Sequence, residues 1–213
     1  MIDDTNNKVY DIVKTHSFED DEYKRLTNLC EPVESEKEGE EIAEALFRTL
    51  TDSKYGVGLS ANQIGINKRV FVVHVKEPLY FINPVLTEIK EAGTFVYIET
   101  CLSMPGVFMR TERCRHIIIS ADNLKEKCEI DISNISQDNV MQSTDAFEIA
   151  ALQHEYDHIN GILMLSKQYH TMPFNVIKTF DRNDKVIIKK ENTIKSIKYK
   201  LFDKYRGKGW TIQ

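Results

Sequence analysis

His154, Glu155 and His158 stand as His-Glu-x-x-His within Gln153-His154-Glu155-Tyr156-Asp157-His158-Ile159-Asn160-Gly161. Residues four apart are neighbours on a helix face. Two imidazoles at that spacing can hold one cation, with the Glu155 carboxylate beside it. That is equipment for metal-assisted hydrolysis. The same five-residue pattern also occurs on helices whose histidines are ordinary surface or core residues, so a third ligand has to be found. Ser143 or Thr144 can cap the helix, Asp145 suits its first turn, and Gly161 suits its stop. Phe147, Ala150, Ala151, His154 and His158 share one face, which sets an apolar wall of partly small residues beside the imidazoles.

Three sources of a third ligand can be compared. The longer pattern His-Glu-x-x-His-x-x-Gly-x-x-His of metzincins fails, because Met164 stands where the last histidine belongs. A downstream glutamate, as in thermolysin-like enzymes, would have to be Glu191, which lies in a lysine-rich stretch that reads as solvated. A cysteine from elsewhere in the chain is the remaining source. Cys101, in Glu99-Thr100-Cys101-Leu102-Ser103, stands just before a Pro-Gly turn and follows strands that could deliver it.

The elements that would position these groups can be read from periodicity. Ser35-x-x-Glu38 is a capping box opening a helix to about residue 52, with Ile42, Ala45, Leu46 and Leu50 at 3–4 spacing. Gly56-Val57-Gly58 permits close backbone approach and precedes Gln63, whose amide offers a donor and an acceptor. The Gly-x-Gly is a weak nucleotide signal, since no strand–GxGxxG–helix unit surrounds it. A strand over 69–75 is rich in β-branched residues, and His74 within it reads as structural or surface. Further short strands are expected at 80–82, 85–89 and 95–98, over 107–120, and at an edge near 125–132. A short strand is expected near 9–13, with otherwise irregular structure over residues 1–34. Strands crowd the middle and helices flank them, which is an α+β arrangement.

With 213 residues, 41% hydrophobic and 29% charged, the chain suits one globular domain with a sizeable core. No apolar run is long enough to span a bilayer. The acidic start Met1-Ile2-Asp3-Asp4 lacks the apolar stretch of a secretory signal and the arginines of a transit peptide. Cys30, Cys101, Cys114 and Cys128 form no Cys-x-x-Cys pair, which suits reduced thiols in a cytoplasmic setting. The net charge is −5, but residues 162–213 hold twelve Lys/Arg against four acids, making the tail +8 and the rest −13. Such a tail suits either an anionic partner or plain solvation. Within it, Asn192 or Thr193 can cap a helix with the stripe Ile194, Ile197, Leu201 and Tyr205, stopped by Gly207.

Taken together, Gly56-Val57-Gly58-Leu59-Ser60-Ala61-Asn62-Gln63, Glu99-Thr100-Cys101-Leu102-Ser103 and Gln153-His154-Glu155-Tyr156-Asp157-His158 resemble the three motifs of peptide deformylase, in order and spacing, over roughly residues 9–165. The resemblance implies an α+β fold of short antiparallel sheets around the metal-binding helix. A catalytic domain over 1–165 would be followed by a basic extension, 166–213. It implies Cys101, His154 and His158 as metal ligands with one coordination position left open, and Glu155 as general base and acid. Gln63 and the Leu102 N–H would stabilise the oxyanion. Val57, Gly58, Glu99, Thr100, Phe147, Ala150 and Ala151 would line the substrate site, and Glu99 and Asp157 would also orient loop and imidazole. The cofactor implied is one divalent metal: Fe2+ in vivo, with Zn2+, Ni2+ or Co2+ as replacements. The substrates implied are N-formylmethionyl peptides, with a ribosome contact through a helix over 190–208, no membrane, no DNA and a monomeric state. Cellular and phage origins both fit, so the compartment would be a bacterial cell or a host cytoplasm.

Two positions depart from the motifs. Ser60 stands for alanine and is small enough to be tolerated. Thr100 stands for glycine, and it either strains a backbone that needs positive φ or adds bulk at the cleft beside the metal. Two other functions compete with deformylation: a relative that binds formyl-peptides or ribosomes without turnover, and a protease cutting internal peptide bonds.

Overall fold

Strand β2 (Val70–His74) is apolar on both faces, and a helix packs on each. Val70 and Val72 join a core with Ile42, Leu46 and Leu50 of helix α2 (Glu36–Asp52). Phe71 and Val73 join a second core with Ile149, Leu152 and Ile159 of helix α3 (Thr144–Ile159). All four β2 residues from Val70 to Val73 are fully buried. Each such side chain contributes about 1.5–3 kcal/mol on burial, which is why this strand reads as an unbroken apolar run. His74, at its end, is exposed.

The computed structural model describes residues 8–15, 20–53, 55–164, 185–190, 193–206, 208 and 210–212. Around β2 lie short antiparallel sheets. Strand β2 pairs with β1 (Gly58–Ser60) and β3 (Pro78–Ile82), leaving β1 at one edge. A second sheet has the order β4 (Val85–Glu88), β7 (His116–Ser120), β8 (Cys128–Asp131). A third pairs β5 (Thr94–Cys101) with β6 (Met104–Cys114), joined by Leu102 and Ser103 alone. This is the expected α+β architecture. Among the described residues, no helix is long and apolar enough to cross a membrane.

The helix ends follow from local chemistry. Ser143 caps α3 by accepting the Ala146 N–H at 3.1 Å. At the other end, Gly161 has φ 70°, its N–H bonds the His158 carbonyl, and the Ile162 N–H bonds the Asp157 carbonyl. That is a complete Schellman closure. A Cβ at Gly161 would also lie 2.3 Å from the Thr27 carbonyl oxygen, so glycine is required twice over. Helix α2 starts as expected at Ser35, which accepts the Glu38 N–H. The Glu38 carboxylate reaches back to the Glu34 N–H, one residue before the reciprocal partner of a full capping box.

Three expectations are corrected. No strand forms near 9–13. That segment instead docks through the Val13 N–H on the Gln63 carbonyl and the Thr15 N–H on the Ser103 carbonyl. Helix α1 (Asp21–Leu26) occupies a stretch read as irregular. The helix expected over 190–208 is a β-ribbon. There β9 (Lys185–Lys190) pairs with β10 (Thr193–Lys198), and β11 (Thr211–Ile212) adds to β9. Only α4 (Asp203–Arg206) and a 3-10 turn at Tyr199–Leu201 are helical there. The β-branched run Val186-Ile187-Ile188 and Thr193-Ile194 favours the pleated pairing over a 3–4 stripe. Asn192 and Gly207, the expected cap and stop, lie outside the described residues. The chain divides into two compact units: Met1–Pro105 with Met109–Phe174, and Gly106–Phe108 with Asn175–Gln213.

Candidate active site

Strand β5 alternates strictly between exposed and buried residues. Phe95, Tyr97, Glu99 and Cys101 point inward, while Thr94, Val96, Ile98 and Thr100 point out. A period of two therefore sets Glu99 and Cys101 on one face, toward α3. Thr100 lies on the opposite, exposed face, so its bulk is not added on the Cys101 side. Its backbone is also unstrained, since Asn83 is the one non-glycine residue with positive φ among the described residues.

Helix α3 brings its two histidines to the same point. The Cys101 Sγ lies 3.2 Å from His158 Nε2, which is itself 3.2 Å from His154 Nε2. All three ligand atoms fall within 4.8 Å of one another and all three residues are buried. Among the described residues this is the one group of three or more metal-ligating side chains so gathered. One sulfur and two ring nitrogens turned on each other compose a donor set that a single divalent cation satisfies.

His154 is aimed by a network whose centre is Arg113. The Glu99 Oε2 sits 2.9 Å from His154 Nδ1, which assigns the proton to that nitrogen and turns the Nε2 lone pair toward Cys101 and His158. Arg113 grips Glu99 with Nε at 2.6 Å and Nη2 at 2.7 Å, and gives Nη1 to Asp157 at 2.5 Å. Thr111 donates to the same Glu99. Arg113 is 2% exposed, so this is a buried ionic cluster. Burial alone would push the Glu99 carboxyl up, but the guanidinium outweighs it and holds Glu99 well below the usual carboxylate range. Burial also opposes a charged His154. Its contacts with Cys101 and Glu99 reverse that and favour imidazolium, whereas burial keeps His158 neutral.

Glu155 faces β1. A Cβ on Gly58 would lie 2.5 Å from Glu155 Oε1, so Gly58 makes room for that carboxylate. Glu155 is buried, its Oε2 has no hydrogen-bond partner among the described residues, and burial pushes its pKa up to about 7. Gln63, beside Cys101, is fixed end to end. Its Oε1 accepts from the Ser60 N–H at 2.9 Å and lies 2.8 Å from Ser60 Oγ. Its Nε2 donates to Ser103 Oγ at 3.1 Å and approaches Cys101 Sγ at 3.6 Å. Leu102 follows Cys101 in the turn between β5 and β6. Val57 is half-buried and its carbonyl accepts the His74 N–H. Phe147 is half-exposed and stacks on Tyr97 at 6.1 Å, while Ala150 and Ala151 are buried in the core below.

Arg113, Thr111, Ser103 and Tyr97 were not foreseen as parts of this site. Gln153 has an equally defined role: its side chain accepts the Cys114 N–H and donates to the Cys114 carbonyl, so that α3 is pinned to β6. Asn62 bonds the carbonyls of His158 and Leu26 and ties the end of α3 to the β1 turn. His74 is exposed and outside the cluster, and Glu191 lies outside the described residues.

Residues 15–172 match the family model described as polypeptide deformylase. A peptide deformylase of Pelagibacter ubique is 32% identical over 151 residues, covering 67% of this chain and 79% of its own length. One from Treponema pallidum (strain Nichols) is 34% identical over 145 residues, covering 67% and 81%. The crystal structure of peptide deformylase from Thermotoga maritima superposes with a TM-score of 0.59 at 28% identity, covering 76% of this chain and 99% of that one. With a family match over most of its length and the three motif stretches meeting at one buried point, the chain belongs to the peptide deformylase family, hydrolases that use a single divalent metal to remove the N-formyl group from nascent polypeptides.

Proposed function

We propose that Cys101, His154 and His158 hold the cation, that Glu155 is the general base and acid, and that Gln63 and the Leu102 N–H stabilise the oxyanion formed from an N-terminal formylmethionine. The observation that carries this reading is the Glu155 Oε2: a buried carboxylate oxygen with no partner among the described residues, adjoining a histidine whose ring is turned to Cys101 and His158. One sulfur and two nitrogens suit ferrous iron, zinc, cobalt or nickel, and ferrous iron is our choice for the ion in vivo. When bound, the ion supplies the Lewis acidity that makes water acidic enough to attack near neutral pH.

Glu155 Oε2 takes the proton from the attacking water and returns it to the leaving methionine amine. Its raised pKa helps it carry that proton between the two transfers. The Gln63 amide cannot flip, because Ser60 holds its carbonyl end, so its NH2 group stays on the Cys101 side. Such a donor is worth about 3 kcal/mol in the transition state. The outer edge of β1 beside Val57 and Gly58, unpaired among the described residues, receives the peptide backbone as an added strand. Phe147, with Tyr97 beside it and Ala150 and Ala151 below, forms the apolar wall for the methionine side chain. Glu99 and Asp157 act through Arg113 and His154. Thr100 borders the site from the outer face of β5.

Formyl-Met-Ala-Ser tests the whole. We expect loss of the formyl group, no cut at the internal bonds, abolition by a chelator and recovery with Fe2+. Internal cleavage would favour a protease. A metal-loaded protein without turnover would favour a binding-only relative.

The extension supports a further reading, docking to ribosomal RNA. Lys189, Lys190, Lys195, Lys198, Lys200, Lys204 and Lys208 are exposed on or beside the β-ribbon. Phosphate contacts made by such residues weaken steeply with salt. Changing Lys198, Lys200, Lys204 and Lys208 together to Glu is expected to leave formyl-Met-Ala-Ser turnover within about twofold and to abolish ribosome co-sedimentation at low salt. Co-sedimentation equal to wild type would discard the docking surface.

A further inference from the structure

Gln63 and Leu102 stand on separate loops. Gln63 lies in the 3-10 turn Ala61–Ile64 that follows β1, and Leu102 lies in the two-residue turn between β5 and β6. The two loops leave different sheets. Two donors that serve one oxygen must nonetheless keep a fixed separation, and a misplacement of about 1 Å can cost about 10²-fold in rate. Something has to hold the loops in register.

Three chain segments are tied pairwise around this point. The Val13 N–H donates to the Gln63 carbonyl at 2.7 Å, and the Thr15 N–H donates to the Ser103 carbonyl at 2.9 Å. The Gln63 side chain closes the ring by donating to Ser103 Oγ at 3.1 Å. N–H groups two residues apart point to one side of a strand-like chain. Here they reach from one loop to the other, with exposed Lys14 between them. Gln63, Ser103 and Thr15 are all buried, so these bonds lie away from bulk solvent.

The segment has an anchor of its own. The Tyr10 N–H donates to Thr49 Oγ1 at 3.1 Å, and Thr49 is a buried residue of α2. Tyr10 and Ile12 pack against the core that α2 helps to form, and the Leu102 side chain packs there too. The segment is therefore fixed to α2 and reaches out to both loops, rather than riding on either one.

We propose that residues 13–15 are a positioning strap for deformylation: the Val13 and Thr15 N–H groups set the separation between the Gln63 amide and the Leu102 N–H. The strap acts through these two donors, on the transition state and not on peptide binding. This rests on the oxyanion reading of Gln63 and Leu102.

The test is Val13→Pro, which removes one N–H, alone and combined with Gln63→Met, using the full chain loaded with Fe2+. Val13→Pro should lower kcat on formyl-Met-Ala-Ser about tenfold, with KM within about twofold and metal content unchanged. In the Gln63→Met background the same change should cost less than about twofold, since the donor it positions is gone. Should the proline variant fail to fold, a glycine inserted between Lys14 and Thr15 keeps every N–H and spoils only their spacing. It is expected to give the same loss of kcat at unchanged KM. A wild-type kcat in the variant that folds overturns the proposal. So does a rise in KM alone, an equal loss in both backgrounds, or a failure of both variants to fold, which would make the segment a plain support of the core. If wild-type protein deformylates and Gln63→Met has a lowered kcat, those results bear on the strap alone. A wild-type kcat in Gln63→Met would remove the reading on which the proposal stands.

Discussion

Replacing Glu155 with glutamine is expected to leave the fold and the bound metal intact and to lower kcat by about 10²-fold or more, the usual worth of a positioned base. Glutamine has the same shape but cannot accept the proton. KM should change little, because Glu155 is buried behind β1 and offers the peptide no apolar surface. The substitution also has a stability signature in metal-free protein. Burial raises the folded-state pKa of Glu155 from 4.5 to about 7. A group so raised contributes stability that is full below about pH 4.5 and is lost as the pH rises through about 7. Glutamine mimics the protonated form at every pH. The variant should therefore match wild type in urea melts near pH 4.5 and exceed it at pH 8. A kcat within tenfold of wild type would refute the base assignment.

Arg113→Met should produce the largest loss of stability. The arginine neutralises two carboxylates, Glu99 and Asp157, at a site where Glu99 is 7% exposed. Removing one member of such a buried cluster typically costs about 3–5 kcal/mol, because the partners stay behind unpaired. Metal affinity should fall too, by about 10–100-fold, since Glu99 is what holds the His154 ring. Arg113→Lys should fall between, because one ammonium cannot fork both Glu99 oxygens and still reach Asp157. The pH dependence follows from Glu99. In wild type its depressed pKa contributes stability that is present above 4.5 and lost as the pH falls through the folded value. In the variant, burial is opposed by the smaller influence of His154 alone, and the folded state shifts toward the protonated acid. The gap between the two proteins should therefore narrow as the solution is acidified. A variant that melts with wild type and binds metal as tightly would show that Arg113 is a bystander.

Much of the site was legible because its groups lie in short local patterns. The His154–His158 spacing, the Ser143 cap and the Gly161 stop are each written within a turn or two of helix. The strand over 70–74 could be read from its β-branched run. Arg113 was not legible for the opposite reason. Its partners are 14 and 44 residues away, and a lone arginine in Met109-Arg110-Thr111-Glu112-Arg113-Cys114 has no local mark. Its faint signal is period two: Thr111 and Arg113 sit on the same face of β6, and both are buried. The tail misled because Ile194, Ile197, Leu201 and Tyr205 fit a helical stripe, while the competing signal is the pairing of Ile194 with Lys189 and Ile197 with Val186 across a hairpin. The segment over 8–15 lacks any pattern of its own, since the Gln63 and Ser103 carbonyls supply its partners.

The alternation of β5 also constrains how the gene can change in length. Thr100 contributes its side chain to the outer face, yet it is the spacer that keeps Glu99 and Cys101 on the same side. Deleting its codon would make those two residues adjacent, and adjacent residues in a strand point to opposite faces. Either the sulfur ligand or the partner of His154 would then turn outward. Adding one residue between His154 and His158 would be equally disruptive, swinging one imidazole about 100° around the helix. Substitution and deletion at position 100 are thus unlike in kind: Thr100→Gly preserves the spacing, and loss of the codon takes the metal centre apart.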